Sequence, residues 1–326
     1  MAKSAKSIDA ANAKLEALRS RPCDAETIEL LTEALADSSN LVVAKAATLI
    51  RGFKLPALHP QMVAAFDRFM LDAAKTDRGC IAKQALAETL YEMGAREGDL
   101  FLVGARHVQP EKSWGPPVDS AAQLRGICLL GLIRAGHPRQ LEVLAEHLMD
   151  KEPPVRLMAA RAAAYAGGDS ATLLLRMKAL AGDVEPEIVG ECFAQLVKLQ
   201  PARSIEFLRR FIDSPDDAIR QASLQAIGES RQPEALVLLT DRWASAFGTD
   251  ARAALVPAIA AHRSNEAIQF LIGRLQQSGS DLCVTIIEGL QMYRRDAAIR
   301  DRVKAVIDQR ADANLSEAFV RRFSQG

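Results

Sequence analysis

One spacing constrains this chain more than any other feature. A triplet of small or apolar residues at i, i+4 and i+8 recurs along nearly its whole length. It begins at Val42, Ala82, Leu124, Val155 and Ile188, and continues as Ile219/Ser223/Ile227, Ala251/Leu255/Ile259, Leu282/Ile286/Leu290 and Leu315/Phe319/Phe323. From Leu124 onward the copies are spaced 31, 33, 31, 32, 31 and 33 residues apart. In the first five, an aspartate stands five residues ahead: Asp37, Asp77, Asp119, Asp150 and Asp183. Self-similarity at such a period is the mark of stacked helical repeats, in which each unit buries its apolar face only against its neighbours.

Each unit reads as two helices. The second, B, carries the triplet. The first, A, shows an i, i+3, i+7 stripe, as in Ile28/Leu31/Leu35, Val63/Phe66/Met70, Leu141/Leu144/Leu148, Ile205/Leu208/Ile212, Leu236/Leu239/Trp243 and Ile268/Leu271/Leu275. Both spacings gather apolar groups on one helical face. Pro138, Pro154, Pro186 and Pro215 fall near helix starts, where a missing N–H costs nothing. Gly94, Gly136, Gly167 and Gly228 fall at B-helix ends, where a left-handed cap is expected. Aromatics are only 5% of the chain, so the core is built from Ala, Leu, Val and Ile, which suits closely packed helices. Residues 1–22, with Ile8, Ala11, Leu15 and Leu18, read as an N-terminal capping helix, and 23–326 as the repeat array.

Beside the apolar column runs a second one: Lys83, Arg125, Arg156, Arg220 and Arg252, with Val43, Val189, Cys283 and Ser316 in the other copies. The pattern of Asp150, then Val155-Arg156, then Ala159 and Ala163 resembles the HEAT repeat, most closely the short bacterial kind of phycobilisome-lyase-like proteins. The resemblance implies an all-α fold, an α-solenoid wound as a right-handed superhelix of about nine HEAT-like helix pairs, with B helices on the concave face. It points to no single function, because that family includes scaffolds, adaptors, chromophore-attachment subunits and a few enzymes. The two charged columns predict a ladder: each Asp accepts N–H bonds at the start of B and pairs with a cation of its own or the adjacent repeat. Arg220 and Arg252 lack an Asp at that offset, Ser214 and Ala246 standing there, which leaves them the freest to meet a partner.

The repeat is broken twice. Val42 to Ala82 is 40 residues, which reads as a plain linker over 53–60 plus a lengthened A helix. Ala82 to Leu124 is 42, an insertion whose content is the Pro/Gly-rich stretch 108–118 around Trp114. A tryptophan in such a loop either folds back to plug the ridge or supplies a binding hot spot.

Enzyme classes find little support. His59, His107, His137, His147 and His262 show no HxH or HxxxH spacing and no His-Glu dipeptide of the kind that marks HEAT-like di-iron hydroxylases. There is no phosphate-binding glycine loop and no nucleophile elbow. Lys+Arg and Asp+Glu are both 41, so the basic excess of a dedicated nucleic-acid binder is missing. A HEAT-type DNA glycosylase would call on Tyr91, Trp114, Tyr165, Trp243 and Tyr293 as its aromatics, and a bilin lyase-like role would need a partner subunit. Cys23, Cys80, Cys128, Cys192 and Cys283 are odd in number without CxxC spacing and read as reduced thiols of a cytoplasmic protein. The polar N-terminus reads as no secretory signal, and the longest apolar run, Gly126 to Ile133, is too short to cross a bilayer. The reading is therefore a non-enzymatic protein-binding scaffold or adaptor that uses the concave face of the solenoid, without cofactor or metal. Trp114, Leu157, Arg161, Arg220, Gln221, Gln225 and Arg252 are its expected contact residues; DNA-glycosylase and bilin-lyase-like roles are the alternatives.

Overall fold

A computed structural model describes residues 5–323. The chain is all-α apart from one short hairpin, and forms two compact units, 1–174 and 175–326. In the first, α1 (Ala5–Leu18) packs on α3 and is followed by four helix pairs. These are α2 (Ala25–Leu35) with α3 (Asn40–Phe53), α4 (His59–Met70) with α6 (Ile81–Glu92), α7 (Gly98–Ala105) with α8 (Ala122–Arg134), and α9 (Gln140–Leu148) with α10 (Pro153–Ala166). A one-turn helix, α5 (Ala73–Thr76), lies inside the second pair. Helix α11 (Gly168–Ala181) runs across the division between the units and leads to α12 (Pro186–Leu199). The second unit continues with α13 (Pro201–Leu208) and α14 (Asp217–Glu229), then α15 (Pro233–Ser245) with α16 (Thr249–Ala253) and α17 (Val256–His262). It ends with α18 (Asn265–Gln277) and α19 (Ser280–Leu290), then α20 (Ala297–Arg310) and α21 (Ala313–Phe323). Among the described residues this makes nine A–B pairs, as the column spacing predicts.

Within each unit the B helices stack on one another, α3–α6–α8–α10 in the first and α12–α14–α17–α19–α21 in the second, with the A helices packed alongside. The triplets are the seam. Val42, Ala46, Ile50, Ala82, Leu86, Leu90, Leu124, Cys128, Leu132, Val155, Ala159 and Ala163 are all 1% exposed or less. The A stripes hold in most pairs. In α4, however, the buried face is Met62/Ala65/Phe66/Phe69, one position round from Val63 and Met70, and in α2 Ile28 is left 37% exposed. The long first spacing comes from α5 and the turn at Arg78–Cys80 between α4 and α6, not from a longer A helix, since α4 is only 12 residues.

Glycine serves two separate purposes at the B-helix ends. Gly94 and Gly136 take the positive φ expected of a left-handed cap, 76° and 66°, whereas Gly167, also at 66°, has ψ −172° and ends α10 in an extended conformation open essentially to glycine alone. Gly228 does not: it lies inside α14, where an added Cβ would come 2.0 Å from the Ala258 carbonyl oxygen of α17. Its role is close approach of two backbones, which corrects the cap reading. At the position equivalent to the capping glycines, four residues past each triplet, three other pairs put a cation into the same left-handed region: Lys54 at 56°, Arg231 at 52° and Arg263 at 60°. A residue with a Cβ bears a cost of about 1–2 kcal/mol there.

Gly228→Ala sets a methyl against rigid backbone, so it should destabilise the second unit by at least the 1–3 kcal/mol typical of overpacking. Urea unfolding measures this, with Gly136→Ala as the comparison for a purely conformational penalty.

Candidate functional site

The aspartate column builds the turns between A and B. In four turns the carboxylate accepts the N–H two residues on, which belongs to the residue preceding the B helix: Asp37 from Ser39 at 2.8 Å, Asp119 from Ala121 at 3.0 Å, Asp150 from Glu152 at 2.9 Å and Asp183 from Glu185 at 2.9 Å. Asp77 reaches into the helix, accepting from Ala82 and Lys83 at 2.9 and 3.0 Å. The expected N–H bonds at the start of B are therefore mostly bonds to the residue just before it.

Lys83 and Arg125 of the cation column join the ladder, while Arg156 donates to the Asp150 and Lys151 carbonyls at 2.9 and 3.0 Å. Arg125, 3% exposed, gives Nε and Nη2 to the two oxygens of Asp150 at 3.0 Å each, and Nη1 to Asp119 and to the His107 carbonyl. One guanidinium thus ties its own turn to the next. Lys83 pairs with Asp77 at 3.0 Å with both fully buried, and Lys178, from helix α11, pairs with Asp183 at 2.7 Å. Burial pushes the Asp119 carboxyl up, but the Gln109 N–H and Arg125 outweigh it and hold its pKa below the ordinary 3.8.

The insertion is an ordered hairpin. β1 (Pro110–Glu111) and β2 (Val118–Asp119) pair antiparallel, Pro110 opposite Asp119. Its base is pinned to the preceding turn. Glu111 Oε1 accepts the Gly79 N–H at 2.7 Å, the Gln109 amide at 2.6 Å and the Ser120 hydroxyl at 2.8 Å, and Gln109 Nε2 also donates to the Asp77 carbonyl at 2.8 Å. At the tip, Ser113 bonds the Pro116 carbonyl, and Trp114 stands 110% exposed. The tryptophan plugs nothing. The turns on either side expose apolar groups too, Leu71 at 71% and Met149 at 66%. The polar network holds these three A–B turns of the first unit side by side, so they form one edge with Trp114 at its centre. The sequence stripes end at Met70 and Leu148, and the signal for Leu71 and Met149 is a large apolar residue out of phase with its helix.

The other expected contact residues are dispersed. In the first unit, Leu157 is half-buried on α10 and Arg161 exposed on the same helix. In the second, Gln221 is exposed and Gln225 donates to Glu229 at 2.8 Å, both on α14. Arg220 is not free: it bonds the Ser214 carbonyl at 2.7 Å and pairs with Asp217, so a main-chain oxygen stands in for the missing aspartate. Arg252 lies half-buried on α16 with its Nε unpartnered. Of the aromatics, Trp243 is 4% exposed and meets Phe270 edge-on, Arg134 covers Tyr91 at 3.9 Å, and Tyr293 bonds the Ala260 carbonyl; Tyr165 is exposed on α10. Cys80, Cys128, Cys192 and Cys283 are buried free thiols, and burial pushes Cys80 and Cys192 up to about 12. Among the described residues no three His, Cys, Asp or Glu side chains gather as a metal site, and no helix is long and apolar enough to cross a membrane.

This geometry is that of stacked helical repeats. Residues 173–260 match the family described as HEAT repeats. Three solved structures are similar to the chain. Human deoxyhypusine hydroxylase in complex with glycerol is 16% identical with a TM-score of 0.32, covering 79% of this chain and 99% of that one. The complex of CpcE and CpcF of phycocyanin lyase from Nostoc sp. is 14% identical at 0.35, covering 92% and 98%. An engineered protein is 17% identical at 0.38, covering 99% and 96%. No curated protein matches the chain.

Removing the Arg125 side chain leaves two largely buried carboxylates, 11% and 17% exposed, without their cation. Arg125→Ala should therefore lose about 3–5 kcal/mol in urea unfolding, with Arg125→Lys in between because an ammonium cannot bridge both. The pH dependence has a fixed sign. Asp119 and Glu111 have folded pKa values below their ordinary 3.8 and 4.5, so the native state binds fewer protons than the unfolded chain. Their contribution is complete above about pH 5 and is lost as pH falls through 4. Thermal melts from pH 7 to 3 should show this fall, with a shallower slope for Glu111→Gln.

Proposed function

We propose that the chain is a non-enzymatic protein-binding scaffold that engages its partner through the A–B edge of the first unit, with Trp114 as the anchor. One observation carries this: a fully exposed tryptophan on a hairpin whose base is fixed by four hydrogen bonds through Glu111 and Gln109. An apolar surface of that size held rigidly in water has no folding purpose, while its rigidity lowers the entropic cost of binding. Leu71 and Met149 widen the patch, and Arg78, Lys112 and Lys151 stand exposed around it. The partner this edge fits is a protein with an apolar pocket for the indole and acidic groups at its rim. The expected contacts at Leu157, Arg161, Gln221, Gln225, Arg220 and Arg252 are secondary in this reading, Arg220 least of all.

Trp114→Ala should leave helix content and melting temperature unchanged, since the side chain touches no core. It should weaken capture of a stoichiometric partner from native extract by about 2 kcal/mol or more, roughly thirtyfold in Kd. Equal capture of the same proteins by wild type and variant would dispose of this edge as the docking site. A drop in melting temperature would show that the indole packs after all.

A further inference from the structure

The second unit carries a feature that the Trp114 edge does not use. Four residues beyond each B triplet, α14, α17 and α19 end in Arg231, Arg263 and Arg294, with Arg295 following. All four side chains are exposed, and among the described residues none has a carboxylate within ion-pair distance or a hydrogen-bond acceptor. Arg231 and Arg263 occupy left-handed positions, φ 52° and 60°, where the first unit has Gly94, Gly136 and Lys54. The fold asks for a left-handed cap here but not for a side chain on it, and an arginine kept where glycine costs less points to a use for the side chain. The three turns are joined: His262 Nε2 bonds the Gln232 carbonyl at 2.9 Å, and the Tyr293 hydroxyl donates to the Ala260 carbonyl. Arg263 and Arg231 both lie near enough to Tyr293 to pull its phenol pKa back down against the larger upward push of burial. Three of the nearby acids are engaged. Asp296 caps α20 through the Ile299 N–H, Glu266 is held by its own N–H and Ser264, and Glu229 accepts from Gln225.

We propose that this row of arginines, one per repeat along the B–A edge of the second unit, binds an extended acidic protein segment carrying a carboxylate at every third residue. Packed helices lie about 8–10 Å apart, and a polyproline-type helix advances about 9 Å per three-residue turn. Carboxylates at i, i+3 and i+6 of such a segment fall one per repeat, and each suits the fork of a guanidinium. Single-stranded nucleic acid fits less well, because it asks for aromatic platforms between the cations, and Tyr293 is half-buried with its hydroxyl committed.

The test is fluorescence anisotropy at low ionic strength with the whole chain and a fluorescein-labelled peptide of five Glu-Pro-Pro repeats. The control is a peptide of the same composition with its glutamates in one block. Arg231→Gly/Arg263→Gly removes two charges while placing glycine where glycine is favoured, so the variant should melt no lower than wild type. The expected result is at least tenfold weaker binding of the repeat peptide by this variant and by Arg294→Ala/Arg295→Ala, and at least tenfold preference of wild type for the repeat over the block. Trp114→Ala should bind the peptide like wild type, which separates this site from the first. Equal affinity for the two peptides, no peptide binding, or unchanged binding by both double variants would overturn the proposal. Tighter retention of an oligothymidylate through the same arginines would overturn it in favour of nucleic acid.

Discussion

Everything in the first unit hangs on how a chain of helices fixes the turn between them. Apolar columns tell two helices to pack but leave their axial register loose, because Ala and Leu interdigitate almost as well one turn along. Buried charge removes that freedom. Arg125 must satisfy Asp119 and Asp150 at once, and Lys83 and Asp77 meet with no water in reach. A shifted register would strand these groups in a dry interior, where an unpaired charge costs more than any column contact returns. The second unit solves the same problem with other groups: Ser214 offers its carbonyl to Arg220, Arg310 donates to the carbonyls of Leu275, Gln276 and Ser278, and Ser280 bonds Asp312.

The fold was open to reading because its determinants are local and repeated. A triplet within one B helix recurs nine times, every 31 to 33 residues from Leu124 onward, and nine agreeing copies outvote any one poor helix former. What escaped depends on partners distant in the chain. Nothing near Gly228 says that the Ala258 carbonyl will press against it, so a glycine near a helix end is read as a cap. Arg220 looked free because the sought partner was a side chain, while the actual one is the backbone of Ser214, which every residue type presents alike. The order of the hairpin was hidden likewise: Glu111 and Gln109 reach residues 32 positions away.

The candidate surfaces were less legible, for a related reason. Burial leaves a periodic trace in sequence; exposure leaves none. Leu71 and Met149 come directly after Met70 and Leu148, the last members of their A-helix stripes, and Trp114 was ambiguous until its hairpin was seen to be pinned at the base. The arginine row sits at an offset where glycine is the expected residue, so Gly94 and Gly136 stand out in the sequence while Arg231 and Arg263, also at positive φ, do not.

The hairpin enters and leaves at a turn, beside helices whose triplets are undisturbed: Ala82/Leu86/Leu90 before it and Leu124/Cys128/Leu132 after it remain buried as elsewhere. Its ten-odd extra residues therefore add a feature without renumbering the stack. Turn length and core spacing are decoupled variables in this architecture. A lineage, or an engineer, is free to exchange one projecting loop for another as one changes the bit of a key and leaves its shaft alone.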